Sequence, residues 1–165
     1  MNETIKSIKE RRSVRKYTNK KISKEILEEI VDCARLAPSA RNEQPWEFIV
    51  ITNKETLKKL SKTVTYGSFL DGAEACIIVC GKENGHLIED GCAATENIMV
   101  AAHSLGIGSC WIAGYNRKYN EEVKQLLNIP KEKDMVSIIS LGYIAEKSNM
   151  PKKRNLKEVL HWEEY

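Results

Sequence analysis

The chain has 165 residues, 42% of them hydrophobic and 30% charged, with a formal net charge of +3. That length suits one domain over 1–165, large enough to bury a core without disulfide or metal staples. The start, Met1-Asn2-Glu3-Thr4-Ile5-Lys6, carries no apolar signal core, and no run reaches the roughly 18 apolar residues of a membrane span, so a cytoplasmic setting with no membrane partner is expected.

Residues Thr4 to about Arg12 read as a short helix, with Ile5 and Ile8 three apart. Ser23 is a suitable N-cap for a second helix, in which Ile26, Leu27, Ile30, Val31 and Ala34 form an apolar face. That helix must stop before Pro38, because a residue preceding proline resists the helical region. Trp46 to Ile51 reads as a strand, and Asn53 as the cap of a third helix carrying Leu57 and Leu60. Ala75 to Cys80 is a continuous apolar run, the pattern of a strand buried on both faces.

The longest helix is expected from about Leu87 to Leu105. It is small and apolar on most sides, which marks a central position. Gly106 stands where a left-handed C-cap is wanted. Ser109 to Ile112 reads as a short strand, Glu121 to Leu127 as a helix capped by Asn120, and Met135 to Leu141 as another strand. The tail from Asn155 to about Trp162 has helical character. Helices alternating with strands predict an α/β or α+β fold with a central sheet covered by helices.

Five cysteines, Cys33, Cys76, Cys80, Cys92 and Cys110, fall at irregular spacings with no C-x-x-C pair. Cys76 and Cys80 share one face of the apolar strand, and no nearby histidine completes a metal set, so the reading is buried free thiols and no metal. The histidines, His86, His103 and His161, are scattered, and His103 reads as a packed or surface residue rather than a catalyst.

Two basic clusters stand at opposite ends of the chain. The first runs from Lys6 to Lys24 and the second includes Lys152, Lys153, Arg154 and Lys157. Only Tyr17 is interleaved, so nucleic-acid binding is not indicated. The segment Arg11-Arg12-Ser13-Val14-Arg15 offers planar forks and a hydroxyl that suit a phosphate. Basic pairs at a helix end also favour the dipole, so this segment alone leaves both readings open.

The loop Pro38-Ser39-Ala40-Arg41-Asn42-Glu43-Gln44-Pro45 has two stiffening prolines and side chains that both donate and accept. It suits a heteroaromatic ligand and equally a structural turn. In Leu105 to Tyr115, position 111 is Trp and the segment follows a helix, so a dinucleotide fingerprint is not met. Small residues at Ala113 and Gly114 leave room for a flat ligand against the main chain.

Together these segments resemble the nitroreductase family, from Ile8 to about Trp162. The most specific part is Arg11-Arg12-Ser13-Val14-Arg15 combined with Pro38 to Trp46. The family fold is an α+β sandwich that binds FMN at a homodimer interface. The resemblance implies that Arg11, Arg12, Ser13 and Arg15 hold the FMN phosphate, ribityl chain and pyrimidine edge, with Lys152 and Arg154 closing on the phosphate. It implies that Pro38, Ser39, Ala40 and Gln44, with Asn42 nearby, reach the flavin from the partner subunit. The main chain of Ile112, Ala113 and Gly114 would face the isoalloxazine.

The implied activity is NAD(P)H-dependent reduction of nitroaromatics, quinones or similar small electron-poor acceptors by ping-pong kinetics, with NADH or NADPH as co-substrate. No side-chain acid or base is required, since a flavin carries the redox chemistry. Alternatives are a flavin-storage protein or a relative performing dehalogenation or dehydrogenation. Two departures stand out. Only Gly81 to His86 bridges the apolar strand and the long helix, where larger members carry an excursion. Ala113 replaces a glutamate found in some relatives.

Overall fold

A computed structural model describes residues 2–146 and 150–165. Helix α1 is Glu3–Glu10, α2 Lys24–Arg35, α3 Lys54–Thr63, α4 Leu87–Ser104 and α5 Asn120–Leu127. Strands β1 (Trp46–Ile51), β2 (Ala75–Lys82), β3 (Ile107–Ala113) and β4 (Lys133–Tyr143) form one antiparallel sheet in the order β1-β2-β4-β3. The fold is thus α+β.

The apolar run of β2 explains the layering. Ala75, Ile77 and Val79 point to the side covered by α2 and α4, while Cys76, Ile78 and Cys80 point to the side covered by α3 and α5. All six are almost completely buried, so every position of the run must be apolar. The long helix α4 lies across the first face with Leu87, Ala94, Ile98 and Ala102 fully buried.

The caps fall where the sequence places them. The Ser23 hydroxyl accepts from Ile26 N at 3.4 Å, the Asn53 side chain accepts from Thr56 N at 3.0 Å, and Gly106 is left-handed with φ +75°. The Asn2 side chain also caps α1, accepting from Thr4 N at 2.8 Å. Two expectations are corrected. Asn120 is the first residue of α5 and makes no side-chain cap. The tail is not a helix over Asn155 to Trp162; one 3-10 turn forms at Leu156–Glu158. Leu156, Val159, Leu160 and Trp162 are exposed, and without a packed apolar face a segment this short has little to hold it helical.

A β-bulge breaks the β2–β4 ladder. Val79 pairs with Ser137 and Cys80 with Met135, so Val136 is the extra residue. Its side chain turns toward α4, where a Cβ on Gly91 would lie 2.7 Å from Val136 Cγ2. On the other side, a Cβ on Gly114 would lie 2.8 Å from Ser137 N. Two glycines, one on α4 and one just after β3, therefore admit the bulge.

Candidate active site

The segment after α1 is laid along β3. Val14 N donates to Ser109 O at 2.8 Å, and Ser13 and Ser109 form a parallel bridge. The Tyr17 hydroxyl pins the end of this segment, bonding Val14 O at 2.5 Å and Ser140 Oγ at 2.6 Å, and burial drives its acidity far down. Arg11 and Arg15 thus sit at the two ends of one extended run, roughly 13 Å apart at strand rise.

Each end opens on a cavity. At the Arg15 end a space of about 550 Å³ is bordered by Phe69, Trp111, Ile112 and Ala113, with the Arg15 guanidinium carbon 5.8 Å from the Phe69 ring centre. At the Arg11 end a smaller space of about 300 Å³ lies beside Arg12, His103 and Ser109. Arg11 Nε and Ser109 Oγ are both buried there without a hydrogen-bond partner. Arg11 Nε stands 3.5 Å from Glu96 Oε1, an ion pair without a formed hydrogen bond. Arg12 instead donates to Lys9 O at 2.7 Å and Arg11 O at 2.6 Å, so part of its fork serves the end of α1. Loss of solvent lowers the His103 pKa below 6.5; Glu10 opposes that fall, and Arg11 and Arg12 add to it.

A buried hydroxyl with no hydrogen-bond partner and a guanidinium nitrogen held only by the 3.5 Å ion pair to Glu96 belong to residues lining one small cavity, and both can donate to an acceptor-rich group. A phosphate is such a group, and a planar ring system fits the cavity at the other end. The residues present therefore fit FMN.

The loop from Pro38 to Gln44 is built differently. Arg41, Asn42 and Gln44 are all left-handed, with φ +50°, +57° and +49°. Each such residue is uncommon outside glycine and is strained by about 1–2 kcal/mol, least for Asn. Internal bonds hold it: Gln44 N donates to Ser39 Oγ at 3.0 Å and Gln44 Nε2 to Asn42 O at 3.2 Å. Ala40 N donates to Asp90 Oδ1 at 3.0 Å, while Asp90 Oδ2 is buried with no partner. The loop is also tied to the connection between β2 and α4, which is only residues 83–86 because Gly81 and Lys82 complete the strand; there Asn84 Nδ2 donates to Glu43 Oε2 at 2.7 Å.

The loop leads into β1, one edge of the sheet, whereas Ile112, Ala113 and Gly114 belong to β3 and its exit at the other edge. Three strand spacings separate those edges, about 14 Å. Within the described residues of one chain no hydrogen bond joins the loop to Arg11–Arg15 or to 112–114. Lys152 and Arg154 are exposed, and no ion pair or hydrogen bond of their side chains occurs among the described residues. The small size of Gly114 serves the β4 bulge rather than an open face; Ala113, exposed, keeps its place beside the cavity.

Sequence reasoning missed Asp90, Ser109 and Glu96. Asp90 carried a faint signal, one of two acids, with Glu89, in the first turn of a largely apolar helix. Ser109 carried none, since a serine inside a strand reads as filler.

A family model described as the nitroreductase family matches residues 8–67 and 63–143. A protein of Archaeoglobus fulgidus that bears the name "Putative NADH dehydrogenase/NAD(P)H nitroreductase" is 45% identical over 150 residues, 87% of this chain and 86% of its own. The FMN reductase (NAD(P)H) of Bacillus subtilis is 29% identical over 188 residues, covering all of this chain and 75% of that one. The solved structure of an FMN-dependent nitroreductase from Clostridium difficile R20291 superposes with a TM-score of 0.87 at 35% identity, covering 98% of this chain and 99% of that one.

Proposed function

The chain belongs to the nitroreductase family, and from that premise we propose that it is an FMN-dependent, NAD(P)H-oxidising reductase of electron-poor small molecules, acting as a cytoplasmic homodimer of one-domain subunits. The observation that carries this reading is the Arg11–Arg15 run along β3, with a cavity for a ring at one end and a cavity with unpaired donors at the other. When bound, FMN supplies the two-electron chemistry that passes from nicotinamide to acceptor.

The chain's own groups bind and orient. Arg11, with Ser109 beside it, holds the phosphate; Ser13 lies on the exposed side of the bridged segment, toward the ribityl chain. Arg15 sets a fixed positive charge at the pyrimidine edge, where negative charge is stabilised on reduction. The main chain of Ile112, Ala113 and Gly114 backs the ring. Pro38, Ser39, Ala40, Asn42 and Gln44 complete the site from a second subunit, and Lys152 and Arg154 add charge to the phosphate.

Two features support a second copy. The loop and the β3 half-site lie on opposite sheet edges, and a chain alone leaves Ile5, Ile8, Leu36, Met150, Leu156 and Trp162 exposed. A shared single site for donor and acceptor supports ping-pong kinetics. The five free cysteines suit a reducing compartment.

The test is the absorbance of the purified protein, which is expected to show flavin bands, followed by initial rates with NADH or NADPH against menadione and a nitrofuran. Parallel double-reciprocal lines are expected. A protein with no affinity for FMN overturns the reading; FMN binding without turnover reduces it to a carrier.

A further inference from the structure

The cavities differ in charge. The space along α2 and β1, about 830 Å³, mixes Lys21, Lys24 and Lys54 with Glu28, Asp32 and Glu74. The space beneath α5 includes Glu121 and Asp134 and shares Arg117 with the β3-side cavity, and the one beside α1 includes Glu10. The β3-side cavity at the Arg15 end has no carboxylate on its wall, yet three cations line it: Arg15, Arg117 and Lys118. Tyr66, Phe69, Trp111 and Tyr119 add aromatic rings to its wall.

The three cations are not equivalent. Arg15 is fixed to the bridged segment over Phe69 and, in the reading above, serves the cofactor. Arg117 and Lys118 come from the loop between β3 and α5, are exposed, and form no ion pair among the described residues. Nothing in the cofactor assignment uses them. Cations that line a cleft without a carboxylate of its own concentrate anions and give a planar ring a preferred orientation.

Resting on the FMN-reductase reading, we propose that Arg117 and Lys118 are specificity-determining residues and that the acceptors this site favours are planar aromatic compounds bearing an anionic substituent. With the flavin ring on the Ile112–Ala113 side of this space, as in the reading above, the acceptor ring lies toward Tyr66 and Phe69 and the two cations take the charge. The selectivity is electrostatic and therefore weakens with salt.

The test uses near-isosteric pairs on the FMN-loaded protein. Benzoate and benzamide are titrated by calorimetry, and 4-nitrobenzoate and 4-nitrobenzamide are compared by KM, because their electron demand differs and would confuse kcat. Two exposed charge contacts, each worth a few-fold, predict that benzoate binds about five- to twentyfold tighter than benzamide at low ionic strength. Arg117→Ala/Lys118→Ala is expected to bring that ratio close to one, as is about 0.5 M salt. Equal affinities in the unaltered protein overturn the proposal. So does a preference that survives the double substitution, or an equal loss of both ligands, which would mean that the cations shape the cleft rather than read charge. The calorimetric ratio is also measured without FMN, so a protein that binds benzoate selectively but turns nothing over refutes the reductase reading and leaves the selectivity standing.

Discussion

The two halves of the proposed cofactor site solve different problems. The Arg11–Arg15 run borrows its order from β3: its backbone is bridged to Ser109 while Arg11 Nε and Ser109 Oγ stay unpaired. The Pro38–Gln44 loop borrows little. It spends polar groups of Ser39 and Gln44 on itself, takes anchors from Asp90 of α4 and from Asn84, and holds three left-handed residues in place. The first half keeps donors free to recognise a ligand in its own chain. The second is a stiff shape with little conformational entropy left to lose, which suits presentation to a site across an interface.

The sharpest way to break this contrast is subunit mixing. Arg11→Ala impairs one half and Ser39→Ala/Gln44→Ala the other. If the halves come from different subunits, a mixed dimer has one doubly altered site and one fully intact site. Random mixing then restores about a quarter of all sites to unaltered FMN affinity, by the two-fold symmetry of the assembly. If both halves come from one chain, mixing restores none. Flavin retained after gel filtration of the mixture distinguishes the two.

Removing the phosphate donor comes next. Arg11→Ala is expected to weaken FMN binding about ten- to a hundredfold, the worth of a charge-assisted hydrogen bond of about 1.5–3 kcal/mol, while barely changing riboflavin binding. Titration of apoprotein with both flavins checks it, and equal affinity of the unaltered protein for FMN and riboflavin sinks the phosphate assignment.

The strain in the loop predicts a smaller effect. Gln44 has φ +49°, so Gln44→Val is expected to lower stability by about 1–2 kcal/mol beyond the loss of its side-chain hydrogen bond, whereas Gln44→Gly relieves the backbone. Urea unfolding midpoints of the two variants separate these, and a valine variant as stable as the glycine one contradicts the geometry.

The smallest effect concerns His103. Burial keeps it short of protons when folded, so its contribution to stability is present above about pH 6.5 and is lost as pH falls through its lowered folded value. The melting temperature is therefore expected to fall less on acidification in His103→Gln than in the unaltered protein. With FMN bound, turnover of this variant is expected to drop only modestly, because a general acid would contribute about 10²–10⁴-fold and none is lost. A thousandfold loss would mean that His103 does chemistry.

Much of this was legible in residue order because the physics was local. Ala75 to Cys80 had to be apolar at every position to lie between two helical layers, and Ser23 and Asn53 had to accept from the first turns they precede. The site was legible as two segments, not as an arrangement. Nothing in the order of residues brings Ser109 and Arg11 to the wall of one cavity, or Asp90 to Ala40 N, since those placements depend on how the chain packs against the sheet. The bulge at Val136 was equally hidden, because one extra residue in a strand does not disturb an apolar run. The tail misled for the opposite reason: its spacing has helical character, but the chain offers it no surface to pack on.

The buried thiols bear on chemical durability. Burial pushes Cys80 up to about 11 and Cys76 up to about 12, and it also raises Cys33, Cys92 and Cys110, the last of which borders the β3-side cavity. At neutral pH a thiol with a value near 11 is ionised in about one molecule in ten thousand. Quinones and the products of nitro reduction are electrophiles that alkylate thiolates. In the proposed reductase such compounds would pass beside Cys110, and the burial that raises its pKa, as it does for Cys76 and Cys80 in the same sheet, would keep the sulfur protonated.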